Sequence, residues 1–265
     1  MLKNEFKQEF LINAISGATK TQILRTYRQE LGCSDEEIQE LLSLPDLEEK
    51  PKFVNYWKYA NLKIPSTAKR FNFPFTQIFT QDNFLNNDEC EKLIKEINEN
   101  LEPSCIANPE DRRTVSEYRT SSSASFNYRE TNIGIDIDLK ISKYLGLDPF
   151  IGEWVQGQKY LPGEFYKEHH DYFYRFSEEY KTYTEWMGQR TWTLMVYLND
   201  IEEGGETYFK HLNLRIKPEK GKAVFWNNLY PFGWTNFKTM HEACPPLNED
   251  KYIITKWFRS WPLIN

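Results

Sequence analysis

The chain has 265 residues with a net charge of −6, and 40% of them are hydrophobic. That length suits one sizeable domain with a small appendage. With no long basic run, nucleic acid is not the expected partner, and no stretch approaches the ~20 apolar residues of a membrane span. Its 18 Phe, 16 Tyr and 8 Trp suit a large core or a ring-lined cleft. Cys33, Cys90, Cys105 and Cys244 are scattered without a CxxC spacing and read as reduced thiols. The N-terminus is charged from Lys3 onward and holds no secretory apolar core, so a cytoplasmic protein is expected, with no membrane partner.

In chain order, residues 1–44 read as three amphipathic helices. Phe6, Phe10, Leu11 and Ile15 form one stripe, and Ile23, Leu24, Tyr27 and Leu31 form a second. Ser34 with Glu37 makes a capping box before the third. They are read as a helical cap, with dimerisation into a homodimer or substrate recruitment as the alternative. Residues 45–70, with Pro45, Pro51 and Pro65, read as a connector, so 1–70 forms one unit and 71–265 the main domain. A first strand is expected from Phe73 to Phe79, a helix from Asn87 through Ile97, a polar loop over 103–116 and a helix from Ile133 to Tyr144. From residue 151 short strands follow, at 153–160, 165–170, 191–198, 206–209, 213–217, 222–227 and 251–258. Helices first and many short strands later indicate an α+β protein whose second half is a sandwich or jelly roll.

The chemistry centres on Tyr160 to Phe173, which contains His169-His170-Asp171. Residues i and i+2 of a strand share a face, so His169 and Asp171 would supply two of the three ligands of a facial triad for non-haem Fe(II). Beyond them lie only His211, in a charged hairpin, and His241, which follows the apolar strand 222–227; His241 fits better as the distant partner. In the alternating segment from Lys251 to Trp257, Lys251 shares a face with Ile253, Thr255 and Trp257. A lysine there is either at the strand's solvated first position or on an inner face beside an anion.

Several ordered motifs extend this pattern. They are Arg119-Thr120-Ser121; Glu153-x-x-Gln156-x-x-x-Tyr160-x-x-Gly163-x-x-Tyr166-x-x-His169-x-Asp171; Gly188-Gln189-Arg190-x-x-Thr193; Gly204-Gly205-Glu206-Thr207; Phe225-Trp226-x-Asn228; and Thr239-x-His241-x-Ala243-Cys244-Pro245, with Lys251 ten residues after His241. From about Phe84 to Trp257 the chain resembles the prolyl 4-hydroxylase branch of the Fe(II)/2-oxoglutarate-dependent dioxygenases.

The resemblance implies a double-stranded β-helix (jelly-roll, cupin-like) core with supporting helices. It implies Fe(II) held by His169, Asp171 and His241. The cosubstrates would be 2-oxoglutarate and O2, with ascorbate as a candidate accessory. Lys251 would bind the C5 carboxylate of 2-oxoglutarate, and Tyr160 and Thr193 would line its pocket. Arg190, Glu153, Tyr166 and Trp257 would face the substrate. Asp171 implies hydroxylation, since related halogenases carry a small residue there.

Three features depart from the family pattern. Glu249 stands where a glycine is usual, His170 where an aromatic or apolar residue is usual, and Tyr174 to Trp186 forms an acidic, aromatic segment where a lid or substrate loop belongs. The expected reaction is hydroxylation of a prolyl residue in a peptide or protein, with release of succinate and CO2. The alternatives are hydroxylation of a free amino acid or other small metabolite, or binding of iron and oxo acid without turnover. An AlkB-like nucleic-acid demethylase is disfavoured by the acidic balance.

Overall fold

The computed structural model describes Ser34, Glu36 and residues 62–260 apart from 107–113, 116–117, 127–131, 175–176, 185–186 and 231–234. Those two residues aside, the three helices expected in 1–44, and the connector as far as residue 61, lie outside the described residues. The elements in order are β1 (Lys69–Arg70), β2 (Ile78–Gln81), α1 (Asn87–Glu99), β3 (Glu102–Pro103), β4 (Cys105–Ile106), β5 (Thr114–Val115), β6 (Ser122–Ser125) and α2 (Asn132–Leu145). There follow β7 (Gln156–Tyr160), β8 (Tyr166–His169), α3 (Glu178–Thr184), β9 (Arg190–Tyr197), β10 (Thr207–Phe209), β11 (Leu214–Ile216), β12 (Ala223–Asn227), β13 (His241–Ala243) and β14 (Lys251–Arg259). No helix among the described residues is long and apolar enough to cross a membrane.

The strands form an eight-stranded sheet in the order β1-β2-β12-β9-β14-β7-β6-β3, a four-stranded sheet β11-β10-β13-β8, and the β4-β5 hairpin. The large sheet is covered on both faces. Trp192, Leu194, Val196, Phe225, Ile254 and Phe258 point to one side and pack with Cys90, Leu93 and Ile97 of α1 and Ile137 and Ile141 of α2. Their strand neighbours Met195, Tyr197, Val224, Trp226 and Ile253 point to the other and pack with Phe209 and Ile216 of the small sheet. This double burial explains why β9 and β12 read as continuous apolar runs rather than alternating ones. The result is the expected double-stranded β-helix with its helices behind the large sheet.

Helix α1 begins at Asn87 as expected, behind a capping box: Asn86 Oδ1 accepts from the Glu89 amide at 2.9 Å, and Glu89 Oε2 accepts from the Asn86 amide at 2.8 Å. Its apolar face approaches β7 closely at Gly157, where a Cβ would stand 2.4 Å from Ile97 Cγ1. On β14, Lys256 points into the helix layer, fully buried, with its Nζ 2.5 Å from Asp138 Oδ1 of α2.

Several expectations shift. The strand expected from Phe73 starts only at Ile78, because Phe75 takes a left-handed φ of 57° in a turn. The connector ends before residue 70, since Lys69–Arg70 pairs with β2. The loop expected over 103–116 contains the β4-β5 hairpin. Strand β13 and helix α3 are elements the sequence pattern did not single out.

Candidate active site

Strands β8 and β13 bring the two histidines together. They pair antiparallel with His241 directly opposite His169, and the two rings lie 4.3 Å apart, centroid to centroid. Strand β8 ends at His169, so Asp171 reaches the same spot from the following bend rather than from a regular strand position. Its Oδ1 lies 3.9 Å from His169 Nε2. One ligand atom from each of His169, Asp171 and His241 lies within 4.8 Å of the others. The runner-up, His211, sits elsewhere, in the Lys210–Leu212 turn beside Glu168.

Both rings are held in the same tautomer. His169 Nδ1 contacts the Lys167 carbonyl at 2.8 Å, and His241 Nδ1 contacts the Thr239 carbonyl at 2.9 Å. A proton on each Nδ1 leaves both Nε2 lone pairs free for a metal. Burial, reinforced by the neighbouring His241, pushes the His169 pKa well below its ordinary value, which keeps the imidazole in its ligating form. Two imidazole nitrogens and one carboxylate on a common point suit a divalent transition metal with open positions.

The carboxylate is oriented by a buried relay. The Trp226 indole N–H donates to Asn228 Oδ1 at 3.0 Å, Asn228 Nδ2 donates to Thr193 Oγ1 at 2.8 Å, and the Thr193 hydroxyl donates to Asp171 Oδ2 at 2.6 Å. Because Thr193 accepts from Asn228, its proton is directed at Asp171, and Oδ1 is left facing the histidines. Thr193, expected in a cosubstrate pocket, also orients Asp171. Thr193→Val is expected to weaken metal binding about 10–100-fold, read by Co(II) titration in visible absorption, with Thr193→Ser recovering most of the loss.

Lys251 lies on the inner face of β14, opposite Tyr160 of β7, and is 1% exposed, so it is not at a solvated strand end. Its Nζ lies over the Tyr160 and Tyr197 rings at 4.9 and 5.8 Å. It has no hydrogen-bond partner among the described residues, and burial pushes its pKa down to about 8. A buried ammonium without an acceptor is a costly arrangement that an anion would relieve. The Tyr160 hydroxyl donates to Gln158 Oε1 at 3.0 Å, and Gln158 Nε2 reaches Thr255 Oγ1 at 3.3 Å.

Two spaces adjoin the triad. An inner cavity of about 40 Å³ touches all three triad residues, Tyr160, Thr207 and Trp226. An outer cleft of about 460 Å³ touches His169, Asp171, Tyr166, Glu153, Arg190 and Trp257. In its wall Arg190 forms a two-bond ion pair with Glu153, at 2.6 and 2.7 Å, and its Nη1 donates to the Asp171 backbone carbonyl at 3.3 Å. Arg259 adds a third bond to Glu153 at 2.9 Å. Burial alone would raise the Glu153 carboxyl, but the two guanidiniums hold it below the ordinary range. Arg190 also lies 4.3 Å over the Trp257 ring, whose indole Nε1 is buried without a partner among the described residues. Tyr166 stacks on His169 at 3.5 Å.

Arg119 was given no role by sequence reasoning. It lines both spaces, donates to Ser121, Ser123 and Gln156 at 3.0–3.3 Å, and lies 5.0 Å over the Tyr166 ring. The Arg119-Thr120-Ser121 motif was its only signal. His170 turns away from the triad; its Nδ1 contacts the Tyr172 carbonyl at 2.6 Å and its ring stacks on Tyr172.

Residues 155–259 match the model of the 2OG-Fe(II) oxygenase superfamily. A protein of Arabidopsis thaliana described as probable prolyl 4-hydroxylase 7 is 30% identical over 224 residues, covering 74% of this chain and 69% of that protein. The prolyl 4-hydroxylase subunit alpha-1 of Gallus gallus is 34% identical over 173 residues, 64% of this chain but only 33% of that subunit. Among solved structures, the viral collagen prolyl hydroxylase of Paramecium Bursaria Chlorella virus-1, in its 2OG complex, superposes with a TM-score of 0.54 at 28% identity, covering 69% of this chain and 95% of that one.

Proposed function

Because the chain belongs to the prolyl 4-hydroxylase-type 2OG-Fe(II) oxygenases, we propose that it hydroxylates a prolyl residue in a peptide or protein. The observation that carries this reading is the triad of His169, Asp171 and His241, combined with a buried Lys251 Nζ that has no hydrogen-bond partner among the described residues. His169, Asp171 and His241 would hold Fe(II), which would supply the oxidation: of the two atoms of O2, one would enter the substrate C–H bond and the other 2-oxoglutarate, which would leave as succinate and CO2.

The chain's own residues bind, orient and exclude water. Lys251 receives the C5 carboxylate of 2-oxoglutarate, and Tyr160 forms the wall beside it. The Thr193 relay fixes Asp171 in one orientation, leaving the metal's remaining positions open. Arg190 and Glu153 are already bonded to each other, so their role is to hold the Asp171 bend and the face of Trp257 rather than to grip substrate with free charges. Tyr166 and Trp257 line the cleft beside the triad, and the Trp257 N–H, which has no partner among the described residues, offers a hydrogen bond to a substrate carbonyl.

The test uses purified protein with Fe(II) and 2-oxoglutarate, offered proline-rich peptides and, separately, free amino acids. Succinate release coupled to one added oxygen on a peptide prolyl residue, and none on free proline, is the expected result. Oxygen added only to a free amino acid would sink the peptide reading, and absence of succinate with every substrate would sink the enzyme reading.

A further inference from the structure

We propose that Glu179 is a specificity-determining residue that selects substrates carrying a lysine or arginine beside the reacting residue, an inference that rests on the peptide hydroxylase reading. The charged side chains in the wall of the outer cleft are Arg119, Glu153, Glu168, Asp171, Glu179 and Arg190. Glu153 is bonded to Arg190 and Arg259. Glu168 lies 3.0 Å from Lys210, and Asp171 receives the Thr193 hydroxyl and belongs to the metal set. Among these carboxylates Glu179 alone has no hydrogen bond or ion pair among the described residues. Lys181, the basic residue of its own helix, sits 2.6 Å from Glu178 instead. His170, also in the wall, is committed to the Tyr172 carbonyl and the Tyr172 ring.

The position is fixed rather than adventitious. The Ser177 hydroxyl accepts from the Tyr180 amide at 3.1 Å at the start of α3, and the Thr184 hydroxyl donates to the Tyr180 carbonyl at 2.6 Å near its end. Tyr183 stacks on Phe173 at 5.4 Å, and Arg259 donates to the Tyr183 carbonyl. The helix carrying Glu179 is thus tied to Phe173, two residues after Asp171, and to Arg259 at the end of β14. Charge is also distributed along the cleft. Arg119 lines both the outer cleft and the inner cavity, whereas Glu179 lines the outer cleft alone. A substrate lying across this space meets a guanidinium at its deep end and, at its outer wall, a carboxylate with no ion pair among the described residues and with the His170 ring as an electrostatic neighbour. Tyr118, Tyr172 and Phe173 line the same cleft, and aromatic faces add attraction for a cation.

The experiment compares three short peptides that share a central prolyl residue and differ only in flanking lysine, glutamine or glutamate. They are assayed with the wild type, Glu179→Gln and Glu179→Lys. Circular dichroism and Co(II) absorption establish for each variant that fold and metal set are intact. The wild type should favour the lysine peptide over the glutamate peptide by about tenfold in kcat/KM, a preference that shrinks with added salt. Glu179→Gln should flatten the series and Glu179→Lys should invert it. Hydroxylation of all three peptides at equal kcat/KM, or a lysine preference that survives in Glu179→Lys, overturns the proposal while leaving the hydroxylase reading intact. Failure to hydroxylate any peptide overturns both.

Discussion

Replacing His241 with alanine is expected to weaken metal binding by more than about a hundredfold and to remove succinate formation. No other histidine can take its place. His211 lies in the Lys210–Leu212 turn with its side chain 40% exposed, and His170 is stacked on Tyr172 with one nitrogen already engaged. His241 also packs against Trp226 and Phe209, with ring centroids at 4.8 and 5.4 Å, so the truncation leaves a cavity and lowers stability as well. Asp171→Asn separates the two effects. It keeps the side-chain volume while removing the anionic ligand, and Co(II) absorption should again show lost affinity in a folded protein. Wild-type metal affinity and turnover in Asp171→Asn would show that the triad is not the metal site.

The second large effect has opposite signs in two measurements. Lys251→Met should raise the KM for 2-oxoglutarate by roughly two orders of magnitude, corresponding to about 3 kcal/mol for a buried charge contact. The same change should leave the thermal stability of the protein without 2-oxoglutarate unchanged or higher. It replaces an ammonium that has no hydrogen-bond partner among the described residues by an apolar chain of similar length. Dicarboxylate binding to the wild type needs the protonated lysine, and burial has brought its pKa down to about 8. As pH rises through that value the ligand-free protein loses the proton. Affinity for 2-oxoglutarate should then fall, approaching tenfold per pH unit well above it. The variant should show no such slope. Isothermal titration across pH 7–10 reads both, and a pH-independent wild type would remove Lys251 from the contact.

The parts legible in sequence were those carried by strong local pattern. The polar start of α1 at Asn87, the alternation of β14 and the His169/Asp171 spacing each occupy a few consecutive positions, and each led close to its observed place. What escaped depends on partners far apart. Thr193 is a polar residue inside an apolar strand, and its reason is Asn228, 35 residues on. Lys256 looked like one more member of an alternating strand, yet it points into the helix layer against Asp138 on α2. Arg190 and Glu153 match family positions on the substrate side, and both line the outer cleft; that they are also bonded to one another is visible only in the fold. Strand β13 is three residues long, too short for periodicity, and it is an element because β8 and β10 flank it. A short strand specified by its neighbours leaves almost no local trace.

Strand β14 holds two buried lysines on opposite faces. Lys256 is ion-paired with Asp138, while the Lys251 ammonium has no hydrogen-bond partner among the described residues. With Lys251 receiving the oxo acid as proposed, the cosubstrate would contribute to folding as well as to chemistry. A dicarboxylate bound only by the folded form would raise apparent stability by about 2.7 kcal/mol at a hundred times its Kd. In a melting experiment, the transition should climb with 2-oxoglutarate in the wild type and stay flat in Lys251→Met. Where the oxo acid is scarce, the protein would then be not merely idle but more exposed to unfolding and proteolysis, so its abundance would follow the supply of the molecule it consumes.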